Sequence, residues 1–480
     1  MIKLRIAILQ KHLNFWPIYG FLCILCMVGC TSKNAPSSTT APNIIFIMAD
    51  DLGFGDLSSY GSTRIQTPHL DQLAKEGMRF TQFYAGSAVC TPTRVSVLTG
   101  RSPLRYNVTK HFNDQEMYLP ATMPTIPKVL KKAGYVSKHV GKWHLGGLNE
   151  VHVKDREHSM PGPLEHGFDA YLAMLEDPLY RKPAMLEKRL YKDGAKHLVR
   201  SDTIISPIDQ HWTDVKTNEA LDFINHSHKK KQAFFLNLWF DTPHAPYEAA
   251  PSEHLAPYKN WTAGQDLLYR SMVSHLDESV GRIVKQLKRL GIAENTLVVF
   301  TSDNGPAYLG SPGPFKGRKV DLHEGGIRVP GIAWWPGKIR ANQVSNELMH
   351  TNDLLPTFCG AAGLDTKEYA LDGVDVLSHL TEGTPIQNRG FVFWQIAEYM
   401  HNGNYVVVSE KRPEPVVTEV VRKGPWKLLA MEGVAQELYH LKEDPYERWN
   451  LLNQYPDVVN EMTDALKNWL NEPRLSVPYE

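Results

Sequence analysis

Ile44-Ile-Phe-Ile-Met48 is apolar at every position and leads, one residue on, into the acidic pair Asp50-Asp51. A strand with one wet face alternates apolar and polar residues. An unbroken apolar run predicts a strand covered on both faces, as in a parallel sheet between helices. Two later stretches repeat the pattern. Phe234-Phe-Leu-Asn-Leu-Trp-Phe240 leads into Asp241-Thr-Pro-His244, and Leu297-Val-Val-Phe300 leads into Ser302-Asp303-Asn304-Gly305. Each polar cluster follows the C-terminal end of its strand, where open α/β sheets place their ligands. Between Gln265 and Leu290 the apolar residues Leu268, Met272, Leu276, Val280, Ile283, Leu287 and Leu290 recur at the period of one helix face. Thr67-Pro68 opens another helix, with Thr at the N-cap, Pro at the first helical position and Leu70, Leu73 and Ala74 inward. The alternation predicts an α/β fold, a large mixed or parallel sheet with helices on both sides.

The pattern changes near residue 386. Phe391-Val-Phe393, Tyr405-Val-Val-Val408, Val416-Val417 and Trp426-Lys-Leu-Leu429 are short strand-like runs at hairpin spacing. Asp457 is placed to cap a last amphipathic helix with Val458, Met462, Leu466, Trp469 and Leu470 inward. Residues 43–385 therefore read as the main domain and 386–480 as a smaller subdomain, an antiparallel sheet plus one helix.

At the other end, Lys3, Arg5 and Lys11 precede an apolar run from Phe15 to Gly29 that closes on Met27-Val28-Gly29-Cys30. This reads as an export signal over residues 1–29. A single membrane anchor is the alternative, for which the run is short and interrupted. A cysteine directly after the small residue resembles the lipobox of bacterial lipoproteins. That resemblance implies lipidation of Cys30 and an exported protein held on a membrane surface of the bacterial cell envelope. Residues 30–42 are small, polar and proline-containing, the composition of a flexible tether.

The 52 basic and 52 acidic residues balance to a formal charge of zero, which argues against a nucleic-acid partner. Of the five cysteines, Cys23 and Cys26 leave with the signal and Cys30 takes the lipid. The remaining two, Cys90 and Cys359, are too few for a disulfide framework. Cys359 sits in an apolar helical stretch and reads as a small core residue. Cys90 by itself fits the same description.

Its surroundings do not. Ser87-Ala-Val-Cys90-Thr-Pro92-Thr-Arg94-Val-Ser-Val-Leu-Thr-Gly100-Arg101 resembles the signature of the type I, formylglycine-dependent sulfatases of the alkaline-phosphatase-like superfamily. About fifty residues on, Gly134-Tyr-Val-Ser-Lys-His-Val-Gly141-Lys142-Trp-His144 resembles the second signature of that family. The resemblance runs from about Asn43 to Leu452. It includes Gly317-Arg-Lys-Val-Asp-Leu-His-Glu-Gly-Gly-Ile-Arg-Val-Pro330 and the late Leu438-Tyr-His-Leu-Lys-Glu-Asp-Pro-Tyr-Glu-Arg-Trp-Asn-Leu. It implies an α/β/α sandwich of the alkaline-phosphatase type and hydrolysis of sulfate esters.

The resemblance also implies roles. In the family the cysteine is oxidised by a formylglycine-generating maturation enzyme to an aldehyde. One hydroxyl of its hydrate attacks sulfur, and the other is later deprotonated to expel sulfate, which splits a difficult displacement into two steps. Asp50, Asp51, Asp303 and Asn304, with the side chain of residue 90, match the family's metal site. All-oxygen ligation suits Ca²⁺ before Mg²⁺. Taken without that frame, Asp-Asp after a strand or Asp-Asn-Gly is a turn or a helix cap. Arg94 lies one helical turn after Cys90 and matches the arginine that steadies the hydrate. Lys142 and His144 match the pair beside it, with His144 taking the proton of the second hydroxyl. His244 and Lys316 match the pair at the leaving oxygen, His244 as the acid and Lys316 assisting. A lone lysine is otherwise a solvated surface charge. His111, His166, His275 and His323 have no special spacing and read mainly as structural, with His323 near enough to Lys316 to reach substrate. Trp334, Trp335 and Trp426 read as core.

Two other functions fit parts of the pattern: a phosphonate or phosphodiester hydrolase of the same superfamily, and a surface protein that binds glycans without cleaving them. The first in its two-metal form needs further Asp/His ligands, and the second a broken nucleophile or metal set. An envelope sulfatase points to a sulfated saccharide as substrate, with loops 105–120, 150–210 and 395–420 setting the sugar.

Overall fold

The computed structural model builds its main sheet from β1 (Asn43–Ala49), β2 (Met78–Tyr84), β3 (Val136–Gly141), β4 (Ala170–Met174), β5 (Phe234–Trp239), β6 (Thr296–Ser302) and β7 (Arg328–Trp334). The described residues are 41–475 apart from 113–116, 149–159, 175–190, 193–194, 197, 202, 206–209, 402–403 and 408–416. The signal, Cys30 and nearly all of the tether lie outside them, as does much of the three loops singled out for specificity. In space the strands run β2-β7-β6-β1-β5-β3-β4, with short edge strands beyond each end. The stretch from β6 to β4 is parallel, whereas β7 runs antiparallel to both its neighbours, β6 and β2. The sheet is thus mixed and open, with β1 at its centre.

The unbroken apolar character of β1 follows from its place. Ile44, Phe46 and Met48 enter one core and Ile45, Ile47 and Ala49 the other. The first core is closed by α2 (Cys90–Thr99) and α5 (Leu354–Ala361), through Val95, Leu98, Leu354, Leu355 and Phe358. Cys359 is part of it, as expected. The second core is closed by α1 (Pro68–Glu76), α3 (Trp212–Lys229) and α4 (Gly264–Arg289). Helices on both faces of one sheet make the α/β/α sandwich. Thr67 occupies the N-cap of α1 as predicted, yet its hydroxyl bonds Asp71 and Ser58. The open N–H groups are met instead by Asp277 of α4, which accepts from His69 and Leu70 at 3.1 and 2.7 Å.

The smaller sheet is antiparallel. Following β8 (Val392–Gln395), the hairpin of β9 (Glu398–His401) and β10 (Asn404–Val407) stands apart from it. Then come β11 (Glu419–Lys423), β12 (Trp426–Met431) and β13 (Val434–His440), arranged β8-β11-β12-β13. The helix α6 (Pro456–Leu470) buries Met462, Leu466 and Trp469. Three expectations need correction. The third strand is Glu419–Lys423, which begins after the expected Val416-Val417 (Val416 lies outside the described residues), because Glu419 and Arg422 are charged yet buried, which a hydrophobic pattern cannot register. Arg422, for example, stacks on Tyr84 at 4.8 Å. The strand at Tyr405 belongs to the separate hairpin. Asp457 is one residue inside α6, whose N-cap is Tyr455 with Pro456 at the first helical position.

The small sheet is welded to the large one. Val392, Trp394, Ile396, Val420, Leu429 and Tyr439 share a core with Tyr84, Ala88 and Val89, the segment that leads into Cys90. Beside it, Lys427 lies fully buried between Glu324 at 2.9 Å and Glu447 at 2.8 Å. Burial opposes charge on all three. Lys427, with Arg328, nonetheless holds the Glu324 carboxyl down at about 2. Replacing Lys427 by Met should leave two carboxylates facing each other in the dark and cost about 3 kcal/mol. Chemical denaturation of the full chain checks this, and a loss below about 1 kcal/mol would contradict it.

Candidate active site

β1 and β6 are parallel neighbours in register Ala49↔Ser302, so the acids that follow them are brought side by side. Asp51 N–H donates to Asp303 Oδ1 at 3.1 Å, and Asn304 Nδ2 donates to Asp51 Oδ1 at 2.7 Å. Asp51 itself takes a φ of 64°, a turn conformation that Asp tolerates better than most residues. Cys90 is the first residue of α2, at the helix end whose N–H groups favour an anion. Its thiol donates to Asp50 Oδ1 at 3.4 Å. Oxygen atoms of Asp50, Asp51 and Asp303 and the Cys90 sulfur all lie within 4.8 Å of one another, buried.

This set fits a hard cation. Three carboxylates meet away from water, and the Oδ1 of Asn304 is buried without a hydrogen-bond partner. A buried acceptor left unpaired is costly, and a cation is what an amide oxygen among carboxylates would accept. Among the described residues a second group could hold a metal, His211, Asp214 and His275. Several of its atoms are already engaged. Asp214 Oδ1 takes Arg282 at 3.0 Å and His275 at 3.1 Å, and His211 Nδ1 accepts the Thr213 N–H.

Cations ring the acids. Arg94, wholly buried, reaches Asp303 at 2.7 Å and Asp50 at 3.4 Å and stacks on Trp239. It also donates to Lys142 O. Lys142 follows β3 and places its ammonium 2.6 Å from Asp50 Oδ2 and 3.6 Å from the Cys90 sulfur. His244 follows β5, with Nε2 3.6 Å from Asp51 Oδ2. Its loop is held by the buried Lys216, which bonds Asp241. His144 stands with a φ of 57°, and its carbonyl accepts from Thr91 Oγ1.

Protonation follows from these neighbours. Burial acts to raise Asp50, but Lys142, His244, Arg94 and Lys319 outweigh it and hold the carboxyl well below the usual range. Asp303 goes the other way, up to about 7, because burial and the charge of Asp50 exceed what Arg94 returns. Burial, then Asp303 and Asp50, push the Cys90 thiol well above its ordinary value. A reactive thiolate requires the opposite. Burial, with Lys142 and His111, depresses His144, and burial with Lys319 brings His244 to about 4.

The fold thus assembles Asp50, Asp51, Cys90, Arg94, Lys142, His244, Asp303 and Asn304. It does not bring Lys316 among them. That side chain is 44% exposed and meets Glu437 Oε2 and Tyr439 Oη, each at 3.3 Å. The place is taken by Lys319, 2% exposed, 2.7 Å from Asp51 Oδ1 and 3.6 Å from the Cys90 sulfur. Gly317 and Val320 both have positive φ. The chain bends at these points, and lysines three residues apart face different neighbours. A signal for Lys319 did exist: the stretch resembling the family starts at Gly317, which includes Lys319 and excludes Lys316. His323 also stays out of the cluster, buried between Asp321 at 2.6 Å and Glu437 at 2.8 Å. The two acids overcome burial and raise it to about 9.

An open α/β/α sheet with an acid cluster, a buried cysteine at a helix start and convergent cations defines a hydrolase of anionic esters with the alkaline-phosphatase-like fold. Comparison with known proteins makes the class specific. The family profile described as Sulfatase matches residues 42–364, and that of the N-sulphoglucosamine sulphohydrolase C-terminal region matches 313–474. The chain is 36% identical to N-acetylgalactosamine-6-sulfatase of Rattus norvegicus, over 93% of this chain and 88% of that one. It is 29% identical to N-acetylgalactosamine-6-O-sulfatase of Bacteroides thetaiotaomicron, over 93% and 97%. Among solved structures, that of Ps i-CgsB in complex with k-i-k-neocarrahexaose superposes with a TM-score of 0.77 at 27% identity, over 92% of this chain and 95% of that one. The chain belongs to the sulfatase family, and it is an enzyme that hydrolyses sulfate esters.

The lysine assignment is open to a direct comparison. Lys319→Ala should lower kcat/KM at least about 100-fold, the scale on which removal of one preorganised charge-stabilising group is felt. Lys316→Ala should change it by less than about fivefold. Steady-state kinetics on one sulfate ester checks both, and the reverse ranking would restore Lys316.

Proposed function

We propose that the protein desulfates a sulfated saccharide, using residue 90 as nucleophile after Cys90 is converted to formylglycine by a maturation enzyme. The cation we assign to Asp50, Asp51, Asp303, Asn304 and the residue-90 side chain is Ca²⁺ before Mg²⁺. One observation carries the reading. Lys142 and Lys319 each place an ammonium 3.6 Å from the Cys90 sulfur, beside a buried cluster of carboxylate oxygens. That is a seat for an anion next to an attacking atom. When bound, the cation supplies neutralisation of sulfate oxygens and a lowered pKa for the attacking hydroxyl.

The chain's own residues do the rest. Arg94 holds Asp50 and Asp303 in place and offsets their charge. Lys142 and Lys319 draw the sulfate group onto residue 90. His244 gives a proton to the leaving oxygen. The bound sulfate's negative charge acts on that imidazole against the lysine beside it and favours the protonated form. His144 removes the proton from the second hydroxyl when sulfate is released, for which a neutral imidazole is needed.

For the substrate, the names of the rat and Bacteroides relatives support 6-O-sulfated N-acetylgalactosamine as the first saccharide to test. We further infer, from the first thirty residues, an exported lipoprotein anchored through Cys30 in the cell envelope.

The tryptic peptide Phe80–Arg94 from protein made in its native host should have the mass of aldehyde in place of thiol. A verified thiol form turning over at full rate would sink the formylglycine mechanism. Chelation should cut sulfate release from 6-O-sulfated N-acetylgalactosamine by at least about 100-fold, with Ca²⁺ restoring it before Mg²⁺. Undiminished release after complete chelation would remove the metal from the mechanism.

A further inference from the structure

His111 belongs to no motif, yet the fold seats it against His144. The two imidazoles stack with centroids 5.7 Å apart and planes inclined by 27°. His111 Nδ1 lies 2.5 Å from Glu398 Oε2. Both partners are shielded, His111 6% and Glu398 1% exposed. Glu398 starts β9, in the C-terminal part of the chain, and the residue before it adds a second tie, Ala397 N–H to Thr109 O at 2.8 Å. On the near side, Phe112 N–H donates to Thr91 Oγ1 at 3.3 Å, and Thr91 Oγ1 donates to His144 O at 3.0 Å. Thr91 directly follows Cys90. One hydroxyl therefore joins the segments that carry residue 90, His111 and His144, and Glu398 with Ala397 fixes the middle one from behind.

We propose that His111, clamped by Glu398, is a positioning residue for His144. The proposal rests on the reading of His144 as the base at residue 90. A base works only within hydrogen-bond reach of its proton. His144 sits at a φ of 57°, a conformation uncommon for a residue with a side chain, so its backbone alone does not secure the ring. A second ring stacked on it limits rotation about the Cβ–Cγ bond, which would otherwise swing the nitrogens away. The carboxylate of Glu398 fixes that second ring in turn.

The test is a double-mutant cycle on the aldehyde-bearing full chain, with folding followed by thermal melts. His111→Ala should lower kcat by about 100-fold, the cost of an ångström-scale misplacement, and leave KM within about threefold. On a His144→Ala background the same substitution should change kcat by less than about twofold, since there is no base left to misplace. Glu398→Gln keeps an acceptor for His111 and should stay within about fivefold of the native enzyme, whereas Glu398→Ala should fall with His111→Ala. That contrast decides the matter if His111→Ala does not fold. A full loss on both backgrounds, a raised KM with kcat intact, or equal activity of the two Glu398 variants overturns the positioning role. A His144→Ala enzyme turning over at the native rate would instead fell the base assignment, and the proposal with it.

Discussion

Three carboxylates, those of Asp50, Asp51 and Asp303, are held within a few ångströms of one another with no access to water. Two like charges about 4 Å apart repel by roughly 4 kcal/mol even at a generous effective dielectric. A fold that juxtaposes three must bring compensation to the same spot. Arg94, Lys142 and Lys319 are that compensation, delivered from α2, from the end of β3 and from the bend at Gly317. The compensation is incomplete. Asp303 is still pushed up to about 7, and an amide oxygen of Asn304 still lacks a partner. Both mark room for further positive charge at that place, which is why the acid cluster reads as a cation site and not as a set of turns.

The parallel register of β1 and β6 imposes this arrangement, and it explains how much was legible in the sequence. Runs such as Ile44–Met48 and Leu297–Phe300 are apolar throughout because each strand faces two cores, so both strands and their polar ends could be read directly. Once two such ends are neighbours, Asp50, Asp51, Asp303 and Asn304 must cluster. Cys90 and Arg94 were legible through the segment Ser87–Arg101, whose resemblance to the family signature singles them out; alone, Cys90 reads as one more small core residue. These are local or periodic signals.

What escaped reading depends on contacts between distant segments. Lys316 and Lys319 have the same chemistry three residues apart, and only the backbone at Gly317 and Val320 separates a rim lysine from a buried one. The strand Glu419–Lys423 looks charged because its partners lie elsewhere in the chain: Arg422 rests on Tyr84. The link from Glu398 to His111 spans 287 positions. No spacing rule reaches that far, and a histidine without a motif gives no hint that its ring lies against another.

Apart from Lys319, the escaped residues share a direction: they tie the C-terminal part of the chain to the segments around residue 90. Trp394 donates to Ala85 O at 2.7 Å, and Val89, the residue before Cys90, packs in the core that Trp394 and Leu429 fill. The buried Lys427 grips Glu324 at the end of the bend that bears Lys319. An oxyanion-binding site works by preorganised dipoles and charges that do not have to move during reaction. Loops at strand ends are mobile by default. Among the described residues the C-terminal part of the chain lends no acid or cation to the cluster around Cys90, but it packs behind the loops that do. Its contribution is packing, delivered to the segment before Cys90 through Ala85 and Val89 and, on the positioning role proposed for His111, to His144.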